Sequence, residues 1–207
     1  MYKDTNCGEP RETTVGSQIT VAGWVHRRRD HGNLIFIDLR DRSGLLQVVF
    51  NPEYSEKAHD LAGSLRSEWV VQITGKVVSR RPGAENPELP TGMIELSATD
   101  LVVLNRALTP PFEISDDLDV DDNTRLQYRF IDLRRPKMQR YLKLRHDVTH
   151  IMWDFLTDKG FTQVETPILI KSTPEGARDY VVPSRLHPGD FYALPQSPQQ
   201  LKQLLMV

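Results

Sequence analysis

The amino-acid sequence predicts an all-β barrel of five strands in its first half and the start of a mixed α+β domain in its second. Three observations carry this. Between Gln18 and Leu104 five short β-rich runs are separated by turn signals, with one helical run between the third and fourth. A proline- and acid-rich stretch follows from Asn105 to Asn123. From Thr124 the apolar period lengthens to that of a helix. The expected division is residues 1–110, a linker at 111–123, and 124–207.

The strands are QITVAGWVHRRR, NLIFIDLRD, GLLQVVFN, WVVQITGKVV and MIELSATDLVVL. The second and third are joined by the DRSG turn at Asp41–Gly44. The intervening helix, YSEKAHDLAGSLR, places Ala58, Leu61, Ala62 and Leu65 at helical spacing. Five strands with a helix in that place is the order of an OB-fold barrel, whose surface offers aromatic platforms and cations to unpaired bases. Phe36 is the candidate platform. Its alternative role is in the core, with Leu34 and Leu39 beside it.

In the linker, Pro110 and Pro111 stiffen the chain and the aspartates oppose a packed core. Beyond it RLQYRFIDLRRP and KMQRYLKLRHDVTHIMWDFLTDKG read as helices. The second carries Met138, Tyr141, Leu142, Val148, Ile151, Met152, Phe155 and Leu156 as a broad apolar face and spans about 33 Å at about 1.5 Å per residue. Gly160 is its expected C′ residue.

From Gly160 to Lys202 the pattern is a strand containing Val164 and Pro167–Ile170, a polar loop, the short strand FYAL, and a helix opened by Ser197-Pro198. Glu175, Arg178, Asp179, Arg185, Gln196, Gln199 and Lys202 crowd charge and amide beside apolar strands, as a polar-ligand pocket would. Gln199 and Lys202, three apart, share a helix face. An isolated lysine there would be a solvated surface residue.

The net charge of −2 makes no global claim on nucleic acid. Locally, Arg27, Arg28, Arg29, Arg40 and Arg42 face Asp30, Asp38 and Asp41, either a salt-bridged surface or an RNA footprint. The single cysteine, Cys7, excludes an internal disulfide and fits a reducing compartment. The N-terminus lacks an apolar h-region and no segment is long enough to span a bilayer, so a cytoplasmic protein without a membrane partner is expected. His146 and His150 have zinc-pair spacing, but no glutamate lies between them and no third ligand cluster is apparent, so no metal site is expected. There is no P-loop, G-x-S-x-G elbow or G-x-G-x-x-G.

GFTQVETP, TPEGARDY and QSPQQLK, with GWVHRRRDHG, FIDLRDRSG and RFIDLRRP upstream, resemble the bacterial-type aspartyl-tRNA synthetases, a class II family, over nearly the whole chain. GFTQVETP is similar to the first class II signature motif, TPEGARDY to the mobile loop over the amino acid, and QSPQQLK to the recognition segment. The resemblance implies an anticodon-binding barrel and the incomplete start of a catalytic domain with an antiparallel sheet. It also implies ATP and Mg2+, L-aspartate, tRNA(Asp) with a lean toward tRNA(Asn) as well, and a homodimer built on the long helix and following strand.

The resemblance assigns anticodon contacts to Arg29, Phe36 and Gln47, tRNA discrimination to the region of His31 and Gly83, and aspartate contacts to Glu175, Gln199 and Lys202. Gln47 carries both amide donor and acceptor, as reading a base edge requires. The phosphate-binding arginines of the second and third motifs are expected beyond Val207, so this chain alone is expected to be inactive and its second half poorly ordered. The competing reading is a non-catalytic OB-fold tRNA-binding module. Against it stand TPEGARDY and QSPQQLK, for which a pure binder has no use.

Overall fold

A computed structural model describes residues 2–172 and 179–206, which form two compact units, Met1–Arg140 and Tyr141–Val207. In the first, strands β1 (Gln18–His31), β2 (Leu34–Asp41), β3 (Gly44–Phe50), β4 (Val70–Ser79) and β5 (Ile94–Asn105) close into a barrel in the order β1-β2-β3-β5-β4. All pairings are antiparallel except β3 with β5. Helix α1 (Glu56–Gly63) lies between β3 and β4, as expected.

Strand alternation builds the core. Ile35, Ile37 and Leu39 of β2 point inward with Val71, Ile73 and Val77 of β4 and Ile94, Leu96 and Ala98 of β5. Leu34 and Phe36 therefore fall on the opposite face, and Phe36 is half-buried there rather than a core residue. Ser55 caps α1 by accepting from Ala58 N at 3.3 Å, and Ala58, Ala62 and Leu65 join the barrel core.

The N-terminal segment is strapped to the barrel at Asp41. Its carboxylate accepts from Lys3 Nζ (2.8 Å) and Cys7 N (3.1 Å) through Oδ2, and from Ser43 N (2.8 Å) and Ser43 Oγ (2.5 Å) through Oδ1. Burial alone would raise this carboxyl, but these donors outweigh it and hold the group at about 2. Burial, with Asp41 alongside, pushes the Cys7 thiol up to about 12, which leaves it protonated and unreactive.

The acidic segment after β5 is more ordered than its composition promised. Ile114 is buried, Ala107 O accepts from Trp69 Nε1 at 3.1 Å, and both oxygens of Asp116 accept from Lys137 N, at 3.1 and 2.9 Å. Asp116 thus serves as an acceptor for an otherwise orphaned amide at the head of α4 (Pro136–Asp158), which begins with proline in the first helical position.

The helix expected over RLQYRFIDLRRP is two short ones, α2 (Asp122–Gln127) and α3 (Arg129–Asp132), broken where Tyr128 adopts φ −107°, ψ 44°. Buried Asp132 repays the break. It collects Arg125 Nε at 3.1 Å, Arg129 Nη1, and Arg135 Nη1 at 3.4 Å. Burial opposes its ionisation, but the Arg125 bond and the other guanidiniums hold it below the usual carboxylate range.

In the second unit, α4 ends at a glycine turn as expected. Gly160 has φ +83° and Phe161 N donates to Leu156 O at 3.0 Å, a Schellman closure that an L side chain at Gly160 would strain. Leu142, Val148, Ile151, Met152, Phe155 and Leu156 of α4 are exposed. The strand expected around Val164–Ile170 does not form. Only Ile170 bridges, to Ala193, because Pro167 removes a ladder donor and no described residue pairs with the preceding stretch. A strand that the sequence reading assigned to loop does form: β6 (Tyr180–Pro183) pairs with β7 (Phe191–Leu194) around buried Ala193. Helix α5 (Gln199–Leu204) follows.

Candidate nucleic-acid interface

One outer face of the barrel gathers the residues assigned to base recognition. β1 slips register by a bulge between Val25 and Arg27, after which Arg29 stands opposite Phe36 on β2. Asp38, two residues along the same face, stands opposite Gln47 on β3. Arg29 donates to Asp38 Oδ1 at 2.7 Å and to Gln47 Oε1 at 3.3 Å. Gln47 Nε2 donates to Glu95 Oε2 at 2.7 Å.

Gln47 is the residue whose amide was expected to read a base edge. The structure buries it to 7% exposure and engages both ends of its amide, so its oxygen faces Arg29 and its nitrogen faces Glu95. Glu95 is therefore a member of this face that sequence reasoning missed, as is Arg80. Arg80 is buried, donates through Nε to Ile94 O at 3.0 Å, and is pulled below its ordinary pKa by burial, with Glu95 countering. The available signal for Glu95 was strand alternation, which sets it on the face opposite to Ile94 and Leu96.

The face combines a half-buried ring, an exposed guanidinium bonded across strands, and a carboxylate–amide pair. That set can stack a base and hydrogen-bond its edge. His31 ends β1 and is exposed. Gly83 lies in the exposed loop after β4 with φ +84°, its N–H donating to Glu85 Oε2 at 2.7 Å; glycine alone takes that backbone without strain.

Of the three residues assigned to aspartate, Glu175 lies outside the described residues. Gln199 and Lys202 both stand exposed on α5, where Lys202 N donates to Pro198 O at 2.9 Å. No group of His, Cys, Asp and Glu among the described residues could hold a metal ion. His146 and His150 stack in parallel 6.1 Å apart, and His150 Nε2 lies 3.5 Å from Asp154 Oδ2. No described helix is long and apolar enough to cross a membrane.

The barrel and the unit after it define an OB-fold joined to a class II synthetase segment. Residues 19–104 match the OB-fold nucleic acid binding domain family, and residues 121–207 match the tRNA synthetases class II (D, K and N). The chain is 57% identical over 207 residues to an aspartate–tRNA(Asp/Asn) ligase of Dehalococcoides mccartyi, covering all of this chain and 34% of that protein. It is 59% identical over 201 residues to the like-named protein of Geobacillus sp., 97% of this chain and 34% of that one. Along essentially its whole length the chain is similar to bacterial proteins named aspartate–tRNA(Asp/Asn) ligase, and it spans about a third of the length of the curated relatives it matches.

Among solved structures, asparaginyl-tRNA synthetase from Pyrococcus horikoshii bound to asparaginyl-adenylate superposes with TM-score 0.83 at 23% identity, over 100% of this chain and 45% of that one. A putative aspartyl-tRNA synthetase of Leishmania major gives 0.83 at 23% identity over 98% and 41%. At that identity the likeness shows the fold.

Proposed function

We propose that the protein to which this chain belongs is an aspartate–tRNA ligase that activates L-aspartate with ATP and Mg2+ and transfers it to tRNA(Asp), with tRNA(Asn) as a second substrate. The observation that carries this is the 57–59% identity, along essentially the whole chain, to proteins named aspartate–tRNA(Asp/Asn) ligase. The barrel, residues 1–110, is the anticodon-binding part, and 124–207 begins the catalytic domain.

In this reading Phe36 stacks on an anticodon base while Arg29 and Gln47 contact base edges and backbone, with Glu95 orienting the Gln47 amide. His31 and Gly83 lie in the region that sets how strictly the two tRNAs are distinguished. Glu175 answers the ammonium of aspartate, and Lys202 and Gln199 its carboxylates. A carboxylate desolvated against a lysine discriminates strongly against the uncharged amide. Catalysis in such a site rests on positioning and on neutralising phosphate charge.

The exposed apolar residues of α4, among them Val148, Ile151 and Phe155, support a homodimer, since a surface of that kind is costly to leave in water. A cytoplasmic location accords with its buried, unreactive single cysteine. The test is aspartate-dependent ATP–pyrophosphate exchange by the full-length protein. Exchange stimulated by aspartate and not by asparagine is the expected result, and its absence would leave a tRNA-binding module.

A further inference from the structure

A cavity of about 700 Å³ opens in the first unit between the DRSG turn, the acidic segment and the head of α4, and its wall includes Arg40, four residues along β2 from Phe36 on the same strand face. Its walls are mostly apolar, formed by Trp24, Leu45, Leu89, Pro90 and buried Ile114. Sites for small organic ligands have this size and character, with a few placed polar groups fixing orientation.

The polar groups are unevenly committed. Arg40 Nη2 and Arg134 Nη1 both bond buried Glu68, at 2.8 and 3.0 Å, and their guanidiniums lie 6.0 and 5.1 Å from the Trp24 ring centroid. Glu68 holds this arrangement with φ +63°, the only left-handed non-glycine among the described residues. Arg40 Nη1 also lies 3.0 Å from His26 Nδ1, and burial with Arg40 alongside drives His26 below its ordinary pKa, toward the neutral form.

Asp41 is saturated by Lys3, Ser43 and Cys7, while Asp116 serves Lys137 N and sits 3.5 Å from Arg140 Nη2. Asp117 is exposed and bonded to Ser115. Arg42, exposed at the mouth, is the one guanidinium of the wall with no hydrogen bond or ion pair among the described residues. An apolar wall with the Arg40 and Arg134 guanidiniums over the Trp24 ring, beside one uncommitted cation, fits a flat aromatic ligand carrying one anion.

We propose that this cavity is a binding site for a planar aromatic molecule bearing a single anionic group, the ring lying on the Trp24–Ile114 wall and the anion on Arg42. A free nucleotide-like metabolite and a splayed nucleotide of a bound RNA share that chemistry. Occupation ties the Ile114–Asp117 segment to the Asp41–Leu45 turn, and so steadies the head of α4.

The test is a titration of the 207-residue chain with 2-naphthoate, followed by NMR on the indole N–H of Trp24, assigned through Trp24→Phe, and on the amides of Ser43–Leu45 and Ile114–Asp117. The expected result is saturable shifts confined to those signals, weakened at least fivefold by Arg42→Gln, with neutral 2-naphthamide binding at least fivefold more weakly than naphthoate. Arg42 is exposed and unpaired, so the variant keeps the fold. No saturable shift of Trp24, or equal binding of naphthoate and naphthamide, or indifference to Arg42→Gln, would overturn the proposal. Repeating the titration with AMP and with a single-stranded RNA trinucleotide separates the two sources. Binding of AMP assigns the free metabolite, and binding of the trinucleotide alone assigns RNA.

Discussion

Gln47 Nε2 donates to Glu95 Oε2 at 2.7 Å while its Oε1 faces Arg29, so one carboxylate decides which end of that amide is turned to each neighbour. Glu95→Gln keeps the size of the side chain but allows the pair to reverse. In this variant we expect binding to the anticodon stem-loop to weaken by roughly 1–3 kcal/mol, with the preference between matched and mismatched bases reduced. Equilibrium titration against both stem-loops checks it; full retention of the preference would make Glu95 a structural residue only.

Phe36→Ala and Arg29→Ala should each weaken the same complex by roughly 1–3 kcal/mol, the first through lost stacking and the second with a shallower salt dependence. Because Phe36 is half-buried outside the core, its removal should cost little stability. Titration at two salt concentrations, with thermal melts, distinguishes the cases. Unchanged affinity with a lower Tm would return Phe36 to a packing role.

Asp41 makes an acid-sensitive strap. Its folded pKa, about 2, lies below the ordinary aspartate value of 3.8, so the stabilisation it gives is fully present above the unfolded value and is lost as pH falls through the folded one. Since Lys3 is partly exposed, the contribution is discounted to about 1–2 kcal/mol. Chemical denaturation between pH 5 and pH 2, comparing Asp41→Asn with the parent, should show the two stabilities converging at low pH. A constant difference would contradict the assignment.

In the full-length protein Lys202→Met should raise the KM for aspartate at least tenfold while leaving that for ATP near its parent value, since on the proposed reading the lost charge would face a substrate carboxylate. Pyrophosphate exchange measures both. A normal aspartate KM would place Lys202 outside the pocket.

Ile151→Asp on the exposed face of α4 should convert a dimer of the full-length protein to monomer, because a carboxylate there would be buried without a partner. Sedimentation velocity reads it directly. A parent protein that is monomeric at micromolar concentration would contradict the assignment of this face to a dimer.

Much of the barrel was legible in the sequence, because β-rich runs such as NLIFIDLRD and the helical spacing of Ala58, Leu61, Ala62 and Leu65 are local signals, whereas the phase that turns Ile35, Ile37 and Leu39 inward was not. The break at Tyr128 was not. It depends on buried Asp132 gathering Arg125, Arg129 and Arg135, a tertiary arrangement that overrides an apparently continuous helical pattern. The Val164–Ile170 run reads as strand by composition, yet a strand requires a partner, and only Ile170 has one among the described residues. Arg29, Phe36 and Gln47 could be singled out from sequence, whereas Glu95 could not, because its bond to Gln47 crosses 48 positions of chain.

The most direct measurement is aminoacylation by the full-length protein with labelled aspartate on separate tRNA(Asp) and tRNA(Asn) transcripts. Aspartate attached to both, with transfer to each reduced by Phe36→Ala, is the predicted result. Failure to charge tRNA(Asp), or charging unaffected by changes to the Phe36–Gln47 face, would contradict it.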